Sequence, residues 1–132
     1  MGDAQSNETV ETVSAWPFDA TLERLTAAIE RAGMILFSRI DHRAGARDAG
    51  LDMPQATVLS YGHPKGGTPI MLAAPLTALD LPLRVLVRVR EDGQTTIVFH
   101  PIAKVLRRAG VPEALACKLD PAQQLLVKAV AA

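Results

Sequence analysis

The residues best equipped for chemistry are concentrated in one segment, Gly62-His63-Pro64-Lys65-Gly66-Gly67-Thr68-Pro69-Ile70-Met71. Glycines let a backbone approach a ligand closely, free N–H groups at a helix start attract anions, and Lys65 supplies a cation. Gly62, His63, Lys65, Gly66, Gly67 and Thr68 are therefore candidates for a phosphate or carboxylate cradle. The segment is not a Walker loop, which puts four residues between its first glycine and Gly-Lys-Ser/Thr; here Lys65 precedes the glycine pair and Thr68 follows it directly. The competing reading is a tight strand-to-helix turn that binds nothing.

Three histidines form a second candidate set. His42, His63 and His100 each fall where a strand gives way to a loop. Free imidazole titrates near neutrality, which makes His42 the candidate general acid/base, with Asp80 of Leu79-Asp80-Leu81-Pro82-Leu83 as the partner that orients it. If strands 34–41 and 56–61 lie side by side and parallel, His42 and His63 converge beside the glycine loop, where open α/β sheets bind ligands. A hydrolase- or transferase-type enzyme would then use the amides of Gly66, Gly67 and Thr68, with Lys65, to stabilise a developing oxyanion or phosphate. Three imidazoles with Asp41 or Asp80 would also suit a transition metal, but such long-range spacing is far weaker evidence than a local His-x-x-x-His pair. Strand-end capping is favoured, and no metal or cofactor is expected. Cys117 has no neighbouring basic-and-glycine motif and reads as a buried structural thiol.

The elements that must position these residues follow from periodicity. Residues 8–15 alternate loosely through Val10, Thr12 and Val13, as a strand exposed on one face does. Trp16-Pro17 breaks it; Phe18, Leu22, Leu25, Ile29 and Ala32 then recur at helical spacing up to Gly33, and residues 34–41 read as a strand. Strand, helix and strand would form a right-handed crossover if the two strands pair in parallel. Residues 42–49 suit a brief helix and 56–61 a strand. Thr68-Pro69 has the form of an N-cap followed by proline, predicting a short helix over 69–74. Leu83, Val85, Val87 and Val89 alternate with Arg84, Leu86, Arg88 and Arg90, turn at Glu91-Asp92-Gly93 and return over 95–100 as a hairpin. Helices are expected over 102–109, 112–118 and 120–130. The expectation is an α+β fold: one two-layer domain over 1–132, with a five-stranded mixed sheet and helices mainly on one face. Residues 1–7 are read as a frayed lead-in.

Composition narrows the function classes. The 132 residues are 48% hydrophobic and carry 14 Lys+Arg against 14 Asp+Glu. A chain of this size buries roughly two-thirds of its unfolded surface, enough for one core and too little for two. Zero net charge and the absence of any block of like charge argue against nucleic-acid and membrane-surface binding. Arg84, Arg88 and Arg90 then read as a solvated face or a dimer rim. One Trp, one Tyr and three Phe make no stacking platform for single strands. A single cysteine allows no internal disulfide, so the cytoplasm is expected. No apolar run approaches the ~20 residues of a membrane span. The first residues lack the basic and apolar regions of a secretory signal; Gly2 and Ser6 fit the myristoylation pattern formally, a match that arises easily by chance.

Three ordered motifs carry a family resemblance. Asp41-His42-Arg43-Ala44 with Ala46 and Ala49-Gly50-Leu51, the segment 61–71, and Ala78-Leu79-Asp80-Leu81-Pro82-Leu83-Arg84-Val85-Leu86-Val87 resemble the domain of unknown function 302 family over residues 8 to 110. The resemblance implies a compact, often dimeric α+β domain without an agreed activity, and a site drawn from His42, Gly62, Pro64, Lys65, Gly67, Thr68 and Asp80. His63 departs from the family's usual asparagine, Tyr61 from its phenylalanine, and Arg88-Val89-Arg90 is an added basic stretch. The function expected is that of a small soluble binding domain, a homodimer, taking an anionic small molecule or acidic partner group at Gly62–Thr68. The dimer expectation rests on Leu86 among its arginines and on Leu125, Leu126, Val127 and Val130 of the last helix.

Overall fold

The computed structural model describes residues 9–132. The lead-in and the Gly2/Ser6 pattern lie outside the described residues. The elements run β1 (Val10–Val13), α1 (Phe18–Arg31), β2 (Ile35–Asp41), α2 (His42–Asp48), β3 (Ala56–Gly62), α3 (Pro64–Ala73), a 3₁₀ turn (Pro75–Leu79), β4 (Leu83–Val89), β5 (Thr95–Phe99), α4 (Ile102–Arg108), α5 (Glu113–Ala116) and α6 (Asp120–Ala129). The architecture is α+β, one five-stranded open sheet in the order β1-β5-β4-β3-β2.

Every neighbouring pair in that sheet is antiparallel, so the expected mixed sheet is corrected. The strand-helix-strand start does not make a parallel neighbour pair: β1 and β2 occupy opposite edges, and α1 crosses the three strands between them. Period 2 on the central strands then dictates the core. Leu59 and Tyr61 of β3, Val85 and Val87 of β4, and Ile97 and Phe99 of β5 are buried on one face, against Phe18, Leu22, Leu25 and Ile29 of α1 and Leu126 of α6. The other face carries Ser60, Arg84, Leu86 and Arg88 in partly exposed or exposed positions, with an Arg88–Glu11 ion pair at 3.6 Å.

Helix α1 ends in a Schellman motif: Met34 N–H donates to the Ile29 carbonyl at 3.1 Å and Gly33 N–H to Glu30 at 3.0 Å, with Gly33 at φ +77°. Its Arg24 stacks 4.3 Å from the Trp16 ring and donates to the Ala129 carbonyl at 2.7 Å, satisfying an orphan acceptor at the end of α6. The C-terminal helix is thereby built into the core. Leu126 and Val130 are fully buried within their own chain, so they are not the free apolar face the sequence suggested for a dimer. Cys117, expected buried, is exposed; its neighbour Ala116 takes the inward position of that short helix.

Candidate functional site

Antiparallel pairing decides which sequence candidates meet. Ile35 lies opposite Gly62, and Asp41 opposite Thr57, so His42 at the end of β2 and His63 at the end of β3 stand at opposite ends of the sheet. Strands of seven residues separate those ends by roughly 20 Å. Asp80 precedes β4 at the His63 end, because Leu83 pairs with Tyr61. His42 and Asp80 therefore do not come together, and no acid/base pair forms between them. Among the described residues no three His, Cys, Asp or Glu side chains gather around a common point.

At the His42 end the polar residues do structural work. Asp41 is the N-cap of α2, its Oδ1 accepting from Ala44 N–H at 3.0 Å, and His42 is the exposed first residue of that helix. Asp80 instead borders a small cleft of about 70 Å³ with Arg84, His100 and Gln123. Gln123 is 3% exposed and ties that region together: its Oε1 accepts from Ile102 N–H at 3.0 Å and its Nε2 donates to the His100 carbonyl at 2.9 Å.

The glycine segment differs from expectation in a way that changes its chemistry. Helix α3 starts at Pro64, not Pro69. His63 is the N-cap, its Nδ1 accepting from Lys65 N–H at 3.1 Å, and Pro64 takes the first helical position. Gly66 and Gly67 N–H both donate to the His63 carbonyl, at 3.0 and 3.1 Å. The amides that were to cradle an anion are spent on the helix's own first turn. Thr68 lies inside the helix, and Lys65 is exposed outside the cavity described next.

What the segment does line is a cavity of about 540 Å³, almost wholly apolar. Gly62, His63, Pro64, Gly66, Gly67, Thr68 and Met71 form one wall, Met34 just before β2 and Phe37 within it a second, and Leu81, Pro82 and Leu83 a third, with Leu119 and Ala122 closing the side. Local rules explain the shape. The register of β2 on β3 shifts between Leu36 and Ser38, leaving Phe37 as a bulged residue, which re-aims its ring to the cavity. Gly62 adopts φ +153°, which L side chains rarely take, where β3 turns into α3 beside Pro82. A Cβ on Gly66 would sit 3.1 Å from Leu119 Cδ2, and one on Gly67 3.6 Å from Leu81 Cδ1 and 3.7 Å from Met71 Cε. These glycines leave room for apolar packing and open space. The Nδ1 atom of His63 is taken up by the Lys65 N–H in the cap. Beneath the wall, buried Tyr61 donates to the Ala122 carbonyl at 3.3 Å, and burial pushes its hydroxyl well above the ordinary phenol range.

Sequence reasoning found the glycine wall but missed Met34, Phe37, Met71, Leu81, Leu119 and Ala122. Their types are those of any core, so no local signal in the sequence separates them.

With this geometry in view, the family model described as domain of unknown function DUF302 matches residues 10–132. The chain belongs to the DUF302 family. The match runs through α4, α5 and α6, beyond the residue-110 limit of the sequence motifs, as the burial of Leu126 and Val130 requires. The crystal structure of an uncharacterized conserved DUF302 protein from Bacillus stearothermophilus has the same fold, with a TM-score of 0.80 at 17% identity over 93% of this chain and 95% of that one. Proteins named fluoride-specific ion channel FluC 1 of Brucella suis and FluC 2 of Brucella melitensis are each 42% identical over 73 residues, 55% of this DUF302 chain and 28% and 26% of theirs. The chain thus spans about a quarter of the length of the curated relatives it matches. No helix among the described residues is long and apolar enough to cross a membrane.

Proposed function

We infer that this DUF302 domain is a binding module for a small, mainly apolar molecule held in the cavity beneath α3. One observation carries this reading: a space of about 540 Å³ lined almost entirely by carbon, within the 300–1,000 Å³ typical of small-molecule sites. The space opens to solvent on one side, and apolar surface left against water is covered favourably by an apolar occupant. The polar side chains at the wall are those of His63 and Thr68, which suit one polar group on the ligand. An anionic group fits this reading only as the head of an amphiphile near His63 and Lys65, since the glycine amides are committed to the helix. The ion-conducting role named for the Brucella proteins is assigned, on this reading, to the parts of them that this chain does not match. The free, exposed Cys117 suits a reducing compartment, and the cytoplasm remains our assignment.

The test uses the neutral fluorescent probe N-phenyl-1-naphthylamine with wild type, Gly67→Phe and Lys65→Ala. A phenyl group at position 67 projects towards Leu81 and Met71 and fills the cavity. Probe affinity should fall at least about tenfold in Gly67→Phe, stay unchanged in Lys65→Ala, and be indifferent to inorganic phosphate. Equal binding to Gly67→Phe would remove the cavity as the site. Displacement by phosphate together with weakening in Lys65→Ala would restore the anion reading.

A further inference from the structure

At the end of the sheet away from the apolar cavity, the start of α1, helix α2 and the residue before β3 enclose a second, smaller cleft. It measures about 110 Å³ and is lined by Phe18, Asp41, Arg43, Ala44, Arg47 and Gln55. Arg43 and Arg47 stand four residues apart on α2, so one face of that helix carries both guanidiniums to the cleft. The frame around them is fixed. Asp41 caps the start of α2, Leu51 N–H donates to the Ala46 carbonyl at 2.8 Å beyond its end, and the Gln55 carbonyl accepts from Val89 N–H at 3.0 Å on the facing side.

The two arginines are unspent. Among the described residues neither guanidinium is held by a hydrogen bond or an ion pair. Arg43 is half-buried, and its Nε–H is shut off from water with no acceptor. A guanidinium is charged at every pH at which the protein is folded, so a buried donor on it without an acceptor is costly. A small turn of the side chain into the cleft it already lines would bring that N–H and the rest of the fork onto an incoming oxygen. Asp41 is the one acid on the wall, and its Oδ1 is engaged by the Ala44 N–H at 3.0 Å. Two cations against one anion leave the cleft positive.

We propose that this cleft binds a tetrahedral oxyanion, a phosphoryl group, gripped by Arg43 and Arg47 with the side-chain amide of Gln55. The donor count selects the class. One guanidinium fork already saturates the two oxygens of a carboxylate, whereas two forks and an amide need the additional oxygens of a phosphoryl group. The space is several times the roughly 10–15 Å³ that one water requires and well below that of a drug-sized site, which suits the free ion or the head of an ester whose remainder lies outside. The site stands apart from the apolar cavity and does not depend on what that cavity holds.

Isothermal titration with inorganic phosphate, at ionic strength held constant with sodium chloride, tests the site. Wild type should bind one phosphate per chain. Arg47→Ala should lose at least about tenfold in affinity, and Arg43→Lys, which keeps the charge and gives up the fork, a similar factor. Because Arg47 is exposed, its replacement should leave the melting temperature without phosphate unchanged, so that the loss is one of binding. Asp41→Asn should instead bind severalfold more tightly: asparagine caps a helix as aspartate does, but takes the negative charge off the wall. Lys65→Ala, at the other end of the sheet, should bind as wild type does. Phenyl phosphate binding at least as tightly as the free ion would identify the phosphoryl group of an ester as the ligand, and weaker binding the free ion; both keep the site. No saturable binding to wild type, undiminished affinity in Arg43→Lys, or a loss in Lys65→Ala that the arginine variants do not share would overturn it.

Discussion

The two ends of the sheet present opposite relations between residue type and role. At one end stand Asp41, His42, Arg43 and Arg47, the kinds of side chain that catalytic sites use, yet Asp41 caps a helix and His42 projects into solvent. At the other end, the 540 Å³ cavity is built from glycine, leucine, methionine, proline and one bulged phenylalanine. Chemically capable residues are common at helix starts because capping needs the same acceptors that catalysis does. A space, in contrast, is made by what side chains leave out. The candidate site therefore lies at the end with less chemistry and more room.

The sharpest break between the ends should come from Gln123, which holds the cavity end together through Ile102 N–H and the His100 carbonyl. Gln123→Leu keeps the volume but strips a buried N–H of its acceptor, and should cost about 2–3 kcal/mol in urea unfolding. A loss under about 0.5 kcal/mol, the range of surface changes, would show that the bonds are not limiting. At the other end, Asp41→Ala should cost about 1 kcal/mol as a lost N-cap, while His42→Ala stays within about 0.5 kcal/mol. Neither should alter probe binding in the cavity. Weakened binding in His42→Ala would mean that the two ends communicate.

A second substitution pair sharpens the account of the glycines. Gly67→Ala adds a methyl at ordinary contact distance in a helix interior, and should raise stability by about 0.5–1 kcal/mol. Gly66→Ala meets Leu119 Cδ2 at 3.1 Å and should lose that gain. Equal effects in thermal melting would contradict the packing reason given for the glycine pair.

Much of this was legible in the sequence, and the exceptions have physical causes. The alternation of Leu83, Val85 and Val87 and the 3.6-residue spacing of Phe18, Leu22, Leu25 and Ile29 specify their elements because each buries one face. Strand direction carries no such local signal. The apolar run Met34–Phe37 reads as an inner strand covered on both faces, whereas β2 is an edge, and Met34 before it and Phe37 within it line the cavity. His63-Pro64 and Thr68-Pro69 are both cap-and-proline pairs. The first wins through the Nδ1 bond to Lys65 and the close fit of Gly66 on Leu119, a tertiary contact no local rule contains. The same early start of α3 removed the anion cradle.

A small expected effect at neutral pH, that of Tyr61→Phe, becomes the most telling when pH is varied. The 3.3 Å bond to the Ala122 carbonyl is long, so its loss should cost only about 0.5 kcal/mol at pH 7. Burial raises the folded-state pKa of Tyr61 above the ordinary phenol value of about 10. The neutral form is therefore the one the fold stabilises. Below pH 10 both folded and unfolded chains hold the proton and the contribution is complete. Above it the unfolded chain releases its proton first, and wild type loses about 1.4 kcal/mol per pH unit from this group alone. Phenylalanine has no proton to release. Urea unfolding of the two proteins should favour wild type at pH 7 and the variant by pH 11, with the crossing just above pH 10. Parallel curves across that range would mean that Tyr61 reaches water in the folded protein.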